Sequence, residues 1–290
     1  MKYFEFICGR DTNLVSYASF VLGRSKGFAA ELLRKGDVRF GGVKIREDSD
    51  VKRGSKLGFY VTERVFAEAL GEIYSDDNVF AAFKPSGIES AGDFSLEERL
   101  SALLGRSVRA VHRLDTNTKG VNLFALNDES ESELLKAFRE RRIDKEYRAD
   151  VFGNPAGSAV LSDYLIKDPE KGLCRVTERK VRGAFEIVTG YELIGSTVFY
   201  ADKSRGKQSE AVKISSLLVR PKTGRTHQIR AHLAYKGLPI VGDCKYGDYR
   251  LNRLVGETVQ RLVCISLCGD FPSESVLSYL SGKKISCQFL

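Results

Sequence analysis

Two segments of the chain concentrate the side chains that could perform acid, base or nucleophilic chemistry. The first runs from His112 through Asp115 to Gly120 and leads into an apolar strand pattern. An Asp in a polar loop just before a strand can stay ionised and point into a cleft, where its carboxylate can act as a nucleophile or a base. The ordinary alternative is that Asp115 bonds its own backbone, as loop Asp residues usually do. On spacing alone, that alternative is favoured.

The second segment, residues 221–233, is rich in Arg and His. Thr226 predicts a helix cap and Gly237 predicts the end of that helix. Arg225 would then lie at a helix N-terminus, where backbone amides and a guanidinium together favour an anion. The anion is either a phosphate or a carboxylate from elsewhere in the chain, and a solvated Arg is the alternative.

Metal binding is not expected from the three histidines of the chain, which are His112, His227 and His232. His227 and His232 do not share a helix face as a zinc-binding pair four residues apart would, and no carboxylate motif accompanies them. The 6 cysteines contain no C-x-x-C pair. They predict buried reduced thiols and not a disulfide framework.

The elements that must position these segments are mostly strands. Alternating apolar and polar residues predict strands at six places, which are 79–83, 147–152, 159–166, 186–193, 211–219 and 262–267. Helical patterns are fewer, and the clearest are at 130–141 and 226–236. The sequence therefore predicts an α+β fold with a large, mostly antiparallel mixed sheet and a few helices.

The first 61 residues differ from the rest of the chain in charge and in pattern. They hold 12 Lys and Arg against 7 Asp and Glu, whereas the whole chain of 290 residues has a net charge of +8. The pattern predicts a helix that ends at Gly23, a second helix over 26–35 and a hairpin over 38–45. Clustered cations suit a phosphate backbone, and a solvated face is the alternative.

Composition and hydropathy restrict the class of protein. A hydrophobic fraction of 42% and a charged fraction of 29% exclude a disordered or fibrous chain. The first residues do not have the layout of a signal peptide, and no apolar stretch approaches the roughly 18 residues that span a membrane. We therefore expect a cytoplasmic protein without a membrane partner, and we expect it to act as a monomer.

Five motifs in one order resemble the RluA-type pseudouridine synthases. They are Lys84–Gly87, His112–Gly120, Lys145–Ala149, the stretch 224–243 and Tyr246–Gly247, within a similarity that runs from about 73 to 270. The resemblance implies the pseudouridine synthase fold over 76–290, with 62–75 as a connector. It also implies an enzyme that isomerises specific uridines in structured RNA, and we expect ribosomal RNA before transfer RNA.

The resemblance implies three catalytic roles. Asp115 is the catalytic carboxylate, Tyr147 packs on the target base and helps to deprotonate its C5, and Arg225 holds Asp115. An ionised carboxylate near the sugar can attack C1′ or take a proton from C2′. A uridine inside a helix does not expose these atoms, so its base must be flipped out and stacked.

Residues 3–61 resemble the αL RNA-binding domain first described in a small-subunit ribosomal protein, which implies an N-terminal RNA-binding domain over 1–61. Together the two resemblances imply RNA contacts from nine residues, which are Ser25, Lys26, Arg34, Lys35, Arg113, Lys119, Lys145, His227 and Arg230. Three places depart from the family patterns, namely Thr12–Leu14, Lys119 and Val263–Ser266. These departures concern RNA contacts and substrate identity.

No cofactor is expected, because the isomerisation involves neither a redox change nor phosphoryl transfer and the chain has no nucleotide-binding Gly loop. Two other functions stay open on the residues. One is an RNA-binding or ribosome-assembly protein that has kept the fold and lost the chemistry. The other is a ribonucleoside hydrolase, which would use the same carboxylate and release free base.

Overall fold

The computed structural model describes residues 1–200 and 210–287. Two units can be distinguished along the chain. The first comprises Met1–Lys84, Ile88–Leu114 and Asn122–Leu135. The second comprises Pro85–Gly87, Asp115–Val121 and the chain from Lys136 onward. The predicted boundary at residue 61 lies inside the first unit, and the assignment of 1–61, 62–75 and 76–290 to separate functions stays a prediction.

The first unit begins with strands and helices in alternation. In chain order they are β1 (Lys2–Ile7), β2 (Thr12–Asn13), α1 (Leu14–Leu22), α2 (Lys26–Lys35), β3 (Val38–Phe40), β4 (Val43–Ile45), β5 (Asp50–Val51), β6 (Lys56–Val61), α3 (Glu63–Leu70), β7 (Glu72–Ser75), β8 (Val79–Lys84), α4 (Leu96–Leu104) and β9 (Arg109–Ala110). Strands β1, β6, β3 and β4 form one antiparallel sheet in that order. Strand β10 (Lys119–Ala125) and helix α5 (Asp128–Arg139) each have residues in both units.

Local sequence explains the N-terminal elements. Ser25 caps α2 by accepting a hydrogen bond from the backbone N–H of Phe28, and Gly36 ends the helix in the left-handed conformation. The 38–45 hairpin turns at Gly41 and Gly42, which both have positive φ. The predicted order of two helices and a hairpin is confirmed. One apolar core joins these elements to α3, α4 and β8 within the first unit.

The second unit contains the larger part of the strands. In chain order its elements are β11 (Ile143–Phe152), β12 (Ser158–Asp168), β13 (Leu173–Thr177), β14 (Phe185–Tyr200), β15 (Ala211–Pro221), α6 (Gln228–Tyr235), α7 (Tyr249–Val255), β16 (Leu262–Gly269), a 3₁₀ turn (Ser278–Leu280) and β17 (Lys284–Ser286). The strands run in the order β13, β12, β14, β15, β11, β16, and β17 pairs with β16. These pairs are antiparallel, and the start of β10 pairs with β16 in parallel.

The predicted large, mostly antiparallel mixed sheet and the α+β class are therefore confirmed. Helices pack on the sheet of the second unit at two places. Ala231 of α6 is buried with Leu165, Val176 and Ile187, and α7 packs near Phe152. Among the described residues, no helix is long and apolar enough to cross a membrane.

Candidate active site

Asp115 lies in a tight turn of the second unit, before β10. Its carbonyl accepts a hydrogen bond from the N–H of Thr118 over 2.9 Å, and the Thr118 hydroxyl accepts one from the Gln260 side chain over 2.9 Å. The backbone of Asp115 therefore closes the turn, while its carboxylate is left for other partners. The side chain keeps 17% of its surface exposed.

The turn joins the sheet through Gly120. This residue pairs with Cys264 of β16 and has a φ of 117°. A Cβ at this position would overlap the carbonyl oxygen of Cys264. Only glycine allows β10 to approach β16 this closely in this conformation, so Gly120 fixes where the turn that carries Asp115 meets the sheet.

Arg230 of α6 holds the Asp115 carboxylate. Its Nη1 donates to Oδ2 of Asp115 over 3.0 Å. Its Nε and Nη2 donate to the two carboxylate oxygens of Asp243 over 2.7 and 2.9 Å. Only 4% of the Arg230 side chain is exposed. Burial by itself lowers the pKa of Arg230, but Asp243 and then Asp115 outweigh burial and raise that pKa above its ordinary value. The guanidinium therefore stays charged between two carboxylates.

Asp243 is in turn held by its own loop. Its Oδ1 accepts hydrogen bonds from the backbone N–H groups of Lys245 and Tyr246 over 2.8 and 3.0 Å. Burial alone raises the pKa of Asp243, but the Arg230 guanidinium and these N–H groups lower it below its ordinary value. Asp243 therefore stays ionised. Its two oxygens bind two nitrogens of Arg230, and this bidentate pair fixes the orientation of the guanidinium plane.

The predicted role of Arg225 is corrected by this geometry. Arg225 is exposed, and its guanidinium lies over the ring of Phe185 at 4.3 Å from the centroid. Arg230, which the sequence predicted to bind RNA, makes the ion pair with Asp115 instead. The start of the helix explains the difference. Helix α6 begins at Gln228, so Arg230 lies in its first turn with its side chain buried in the protein.

The predicted cap of this helix is also wrong. Thr226 does not cap α6, since the residue before the helix is His227, which has a φ of 55° and makes no capping bond. The Gln228 side chain organises the loop instead. Its Oε1 accepts from the Arg225 N–H over 3.1 Å and from the Thr223 hydroxyl over 2.8 Å. Its Nε2 donates to the Val188 carbonyl over 3.1 Å.

His227 faces Tyr246 beside the ion pair. Its Nδ1 lies 2.9 Å from the Tyr246 hydroxyl, and that hydroxyl accepts a hydrogen bond from the Cys174 N–H over 2.6 Å. Burial lowers the pKa of His227, partly offset by the negative charge of Asp115. His227 is therefore mostly a neutral ring at pH 7, a state that favours orientation over phosphate binding.

Tyr147 lies on β11, next to β16, and only 8% of its surface is exposed. Burial raises its pKa well above the ordinary value of a tyrosine, and the negative charge of Asp115 raises it further. Tyr147 is therefore a neutral phenol near Asp115. The predicted catalytic residues Asp115 and Tyr147 both lie in the second unit, where the charge of Asp115 acts on the phenol of Tyr147. Arg225 lies in the same unit, but its guanidinium is over Phe185.

Comparison with known proteins identifies the family of the chain. Residues 78–235 match the family model described as RNA pseudouridylate synthase. The chain is 32% identical to tRNA pseudouridine synthase C of Haemophilus ducreyi, over 65% of this chain and 78% of that protein. It is 34% identical to the dual-specificity RNA pseudouridine synthase RluA of Escherichia coli K12, over 61% and 76%. It is 31% identical to the ribosomal large subunit pseudouridine synthase C of Rickettsia bellii, over 80% and 75%.

The chain belongs to the RNA pseudouridylate synthase family. Its fold is similar to solved human pseudouridylate synthase domain-containing proteins 1 and 4, with TM-scores of 0.59 and 0.57. The first similarity covers 71% of this chain and 81% of that one, at 23% identity, and the second covers 77% and 91%, at 24% identity. The protein is thus an RNA pseudouridine synthase of the RluA type, an isomerase that acts on RNA. The alternative of a binding protein without chemistry is set aside.

The synthase carries part of its predicted RNA contacts in the first unit. Lys26, Arg34 and Lys35 are exposed at the two ends of α2. Arg34 and Lys35 both form ion pairs with Glu31, the latter over 3.4 Å. Ser25 uses its side chain as the cap of α2. These residues are therefore placed on the surface, and their contact with RNA stays a prediction.

Two further cations lie at this end of α2 and were not predicted from the sequence. The side chains of Lys44 and Arg46 lie over Gly36, whose hypothetical Cβ would touch both. Together with Arg34 and Lys35 they form what we call the α2 cluster. The hairpin over 38–45 brings Lys44 and Arg46 to the end of the helix, which a linear pattern of charges does not reveal.

The other predicted contacts vary in exposure. Arg113 is exposed, and Lys119 and Lys145 are half-buried. The Lys145 ammonium lies 5.1 Å from the centroid of the Phe138 ring, and burial lowers its pKa. Asp243 and Gln228 were not predicted as functional residues, although both lie in the stretch 224–243 that resembles the family. In the sequence, each of the two is a polar residue within a motif. That position does not reveal which side chain the residue contacts.

Proposed function

We propose that this synthase isomerises uridines in structured RNA with Asp115 as its catalytic carboxylate, Arg230 as the residue that holds Asp115, and Tyr147 as the aromatic partner of the target base. The observation that carries the proposal is the ion pair of Asp115 with Arg230. Arg230 and Asp243 are buried, and Asp115 is the member of this trio that keeps exposed surface. Its carboxylate is therefore the group that can reach a substrate.

The ion pair of Asp115 with Arg230 suits the bond changes that convert uridine into pseudouridine. Isomerisation breaks the bond between N1 and C1′ and joins C5 to C1′ after the base has turned. A carboxylate can attack C1′ or take the C2′ proton, and both routes need an anion held in one orientation. Arg230 supplies that orientation, because a bidentate contact with Asp243 fixes the guanidinium before substrate arrives.

Tyr147 supports the second half of the chemistry. Tyr147 lies on β11 in the same unit as Asp115, and its hydroxyl is neutral at physiological pH because burial raises the pKa of the phenol. A neutral hydroxyl can accept or donate a hydrogen bond at the base, while the ring offers a surface for stacking. We propose that it packs on the flipped base and assists removal of the C5 proton.

Ribosomal RNA is the substrate that we propose first. The large-subunit synthase of Rickettsia bellii matches 80% of this chain, whereas the transfer-RNA and dual-specificity synthases match 65% and 61%. The α2 cluster adds a cationic surface for a structured RNA. Because Asp115, Arg230 and Tyr147 come from one chain, we further propose that a monomer is the active form. We also propose the cytoplasm as its compartment.

The catalytic role of Asp115 is tested by Asp115→Asn, which is nearly isosteric and removes the negative charge. We expect RNA affinity to persist within about threefold and single-turnover formation of pseudouridine to fall below detection. A rate within about tenfold of wild type, roughly 1.4 kcal/mol of barrier, would contradict the assignment. Product analysis also tests the hydrolase alternative, since a hydrolase releases free uracil and an isomerase leaves the RNA mass unchanged.

The role of Tyr147 is tested by Tyr147→Phe, which keeps the ring and removes the hydroxyl. We expect RNA binding to persist and the single-turnover rate to fall about a hundredfold. An equal loss of affinity and rate would make the hydroxyl a structural partner only. The substrate is tested by comparing pseudouridine maps of ribosomal and transfer RNA from cells with and without the protein, and sites that vanish only from transfer RNA would contradict ribosomal specificity.

A further inference from the structure

Helix α6 is held on the large sheet by a buried chain of hydrogen bonds. Nε2 of Gln228 donates to the Thr189 hydroxyl of β14 over 3.1 Å, and that hydroxyl lies 2.9 Å from Nδ1 of His232. Nε2 of His232 lies 2.9 Å from Oδ2 of Asp163 on β12, and Lys236 donates to Oδ1 of Asp163 over 3.1 Å. Thr189 and His232 have no exposed surface, and Asp163 and Gln228 keep only 3%. The chain therefore acts inside the protein and not on a substrate.

The hydrogen bonds of this chain run in one direction. A carboxylate only accepts, so Asp163 accepts from His232 and the ring hydrogen lies on Nε2. Burial lowers the pKa of His232, partly offset by Asp163, so the ring is neutral at pH 7 and its Nδ1 is an acceptor. The Thr189 hydroxyl then donates to Nδ1, and its oxygen accepts from Gln228. Each of these groups thus has one defined role.

The Thr189 hydroxyl binds two side chains on one face of α6. Gln228 and His232 are four residues apart, so they share a face about one turn apart. Arg230 lies between them in sequence, about 200° around the helix axis from each, and there it meets Asp115. Hydrogen bonds weaken steeply when they are misaligned, whereas apolar packing of the helix is not directional. A rotation of α6 would therefore break both contacts of Thr189 and displace Arg230 at the same time.

We propose that Thr189 is a positioning residue, whose hydroxyl sets the rotation of α6 at which Arg230 holds Asp115. The inference rests on the proposed catalytic role of Asp115. A displacement of about 1 Å at a reacting group can cost about a hundredfold in rate, even when its cause lies far from the chemistry.

The test compares Thr189→Val, which keeps the shape and removes the hydroxyl, with Thr189→Ser, which keeps the hydroxyl. Single-turnover rates at saturating RNA and Kd are measured well below the Tm of each variant. We expect Thr189→Val to slow the reaction about tenfold with Kd within about twofold, and Thr189→Ser to stay within about threefold of wild type. A Thr189→Val variant with a lowered Tm and a full rate would overturn the proposal.

The matched control is Ser130→Ala in α5. Ser130 is a buried serine of the first unit, and its hydroxyl donates to the Asn78 carbonyl over 2.8 Å. We expect this variant to lower Tm and to keep the rate within about twofold of wild type. An equal slowing in Ser130→Ala and Thr189→Val would attribute the effect to the loss of any buried hydroxyl and would overturn the proposal.

A double-mutant cycle with Arg230→Lys tests whether Thr189 acts through Arg230. We expect the effect of Thr189→Val on the rate to shrink from about tenfold to less than about twofold in the Arg230→Lys background. An equal slowing in both backgrounds would show that Thr189 acts by another route and would overturn the proposal.

A second measurement needs no variant. ¹⁵N NMR of the wild-type protein, labelled at its three histidines, reports the tautomer of His232. We expect the hydrogen on Nε2 and an unprotonated Nδ1. A hydrogen on Nδ1 would remove the acceptor of the Thr189 hydroxyl and would overturn the proposal.

The proposed function and this inference fail in different ways. An Asp115→Asn variant with full rate would remove both. An inactive Asp115→Asn variant together with a full-rate Thr189→Val variant would overturn the role of Thr189 alone.

Discussion

Arg230 donates from Nη1 to Oδ2 of Asp115 over 3.0 Å, and its two other nitrogens, Nε and Nη2, donate to Asp243. The guanidinium thus connects the exposed carboxylate of the site to a buried one. Breaking a buried ion pair by removing one partner typically costs about 3–5 kcal/mol, because the other charge is left uncompensated. Arg230 therefore contributes both to the fold of the second unit and to the orientation of Asp115.

The first prediction concerns Arg230→Lys, which keeps the positive charge and loses the planar fork. A lysine ammonium cannot bind Asp243 in a bidentate manner and also reach Asp115 in the same geometry. We expect the single-turnover rate to fall about a hundredfold while RNA affinity changes less than about threefold.

The matched control for Arg230 is Arg225→Lys, at the exposed arginine of the same segment. Because Arg225 lies over Phe185 and not at Asp115, we expect a rate within about twofold of wild type at saturating RNA. A large loss of rate in Arg225→Lys with little loss in Arg230→Lys would restore the assignment predicted from the sequence.

The second prediction concerns Gly120→Ala. The added Cβ would overlap the Cys264 carbonyl, and the φ of 117° is strained for alanine. We expect the free energy of unfolding, measured in urea, to fall by about 3 kcal/mol or more. Gly157→Ala is the control, because a Cβ at Gly157 meets nothing within 4 Å and its φ is not positive. Equal stability of the two variants would contradict the close approach of β10 to β16.

The third prediction concerns the α2 cluster. A deletion of residues 1–61 would open the apolar core that these residues share with α4, so surface substitutions are the sharper test. We expect Lys44→Ala combined with Arg46→Ala to weaken RNA binding. The slope of log affinity against log salt should become shallower by about 0.7–0.9 for each RNA phosphate that the variant no longer neutralises.

The control for the α2 cluster is Arg64→Ala, at an exposed cation of the same unit that pairs with Glu68 over 2.7 Å. We expect its salt slope to match wild type. An unchanged slope in the Lys44 and Arg46 double variant would show that the cluster is a solvated surface.

The fourth prediction concerns stability at acidic pH. Glu146 accepts hydrogen bonds from Lys284 over 2.5 Å, Arg220 over 2.9 Å and Ser266 over 3.0 Å. The Lys284 contact above all lowers the pKa of Glu146 from 4.5 to about 2, with burial opposing. Because the folded pKa lies below the unfolded one, the stabilisation is complete above about pH 4.5 and is lost as pH falls toward about 2.

Urea unfolding between pH 6 and about pH 3 measures this dependence. We expect the free energy of unfolding to fall less steeply with acidification in Glu146→Gln than in wild type. Glu47→Gln, at an exposed position of the first unit, should keep the wild-type dependence. Identical curves for all three proteins would contradict the role assigned to Glu146.

Local sequence accounts for most of the secondary-structure elements and for the family resemblance. Caps such as Ser25 and Gly36 and the alternation along the strands act over a few residues, so the two N-terminal helices, the hairpin and six strands of the large sheet followed from local sequence. The motif around Asp115 could be matched to the family for the same reason, because its residues are contiguous, and that resemblance implied its chemistry.

Which side chains contact each other depends on the packing of the whole chain. The choice between Arg225 and Arg230 depended on a helix that starts at Gln228 after a left-handed His227, and no nearby cap residue signalled that start. The pairing of Tyr147 with Cys264 across β11 and β16 depended on a bulge between these two strands. Such pairings join residues far apart in the chain, and they are decided by packing and register, which local sequence patterns do not encode.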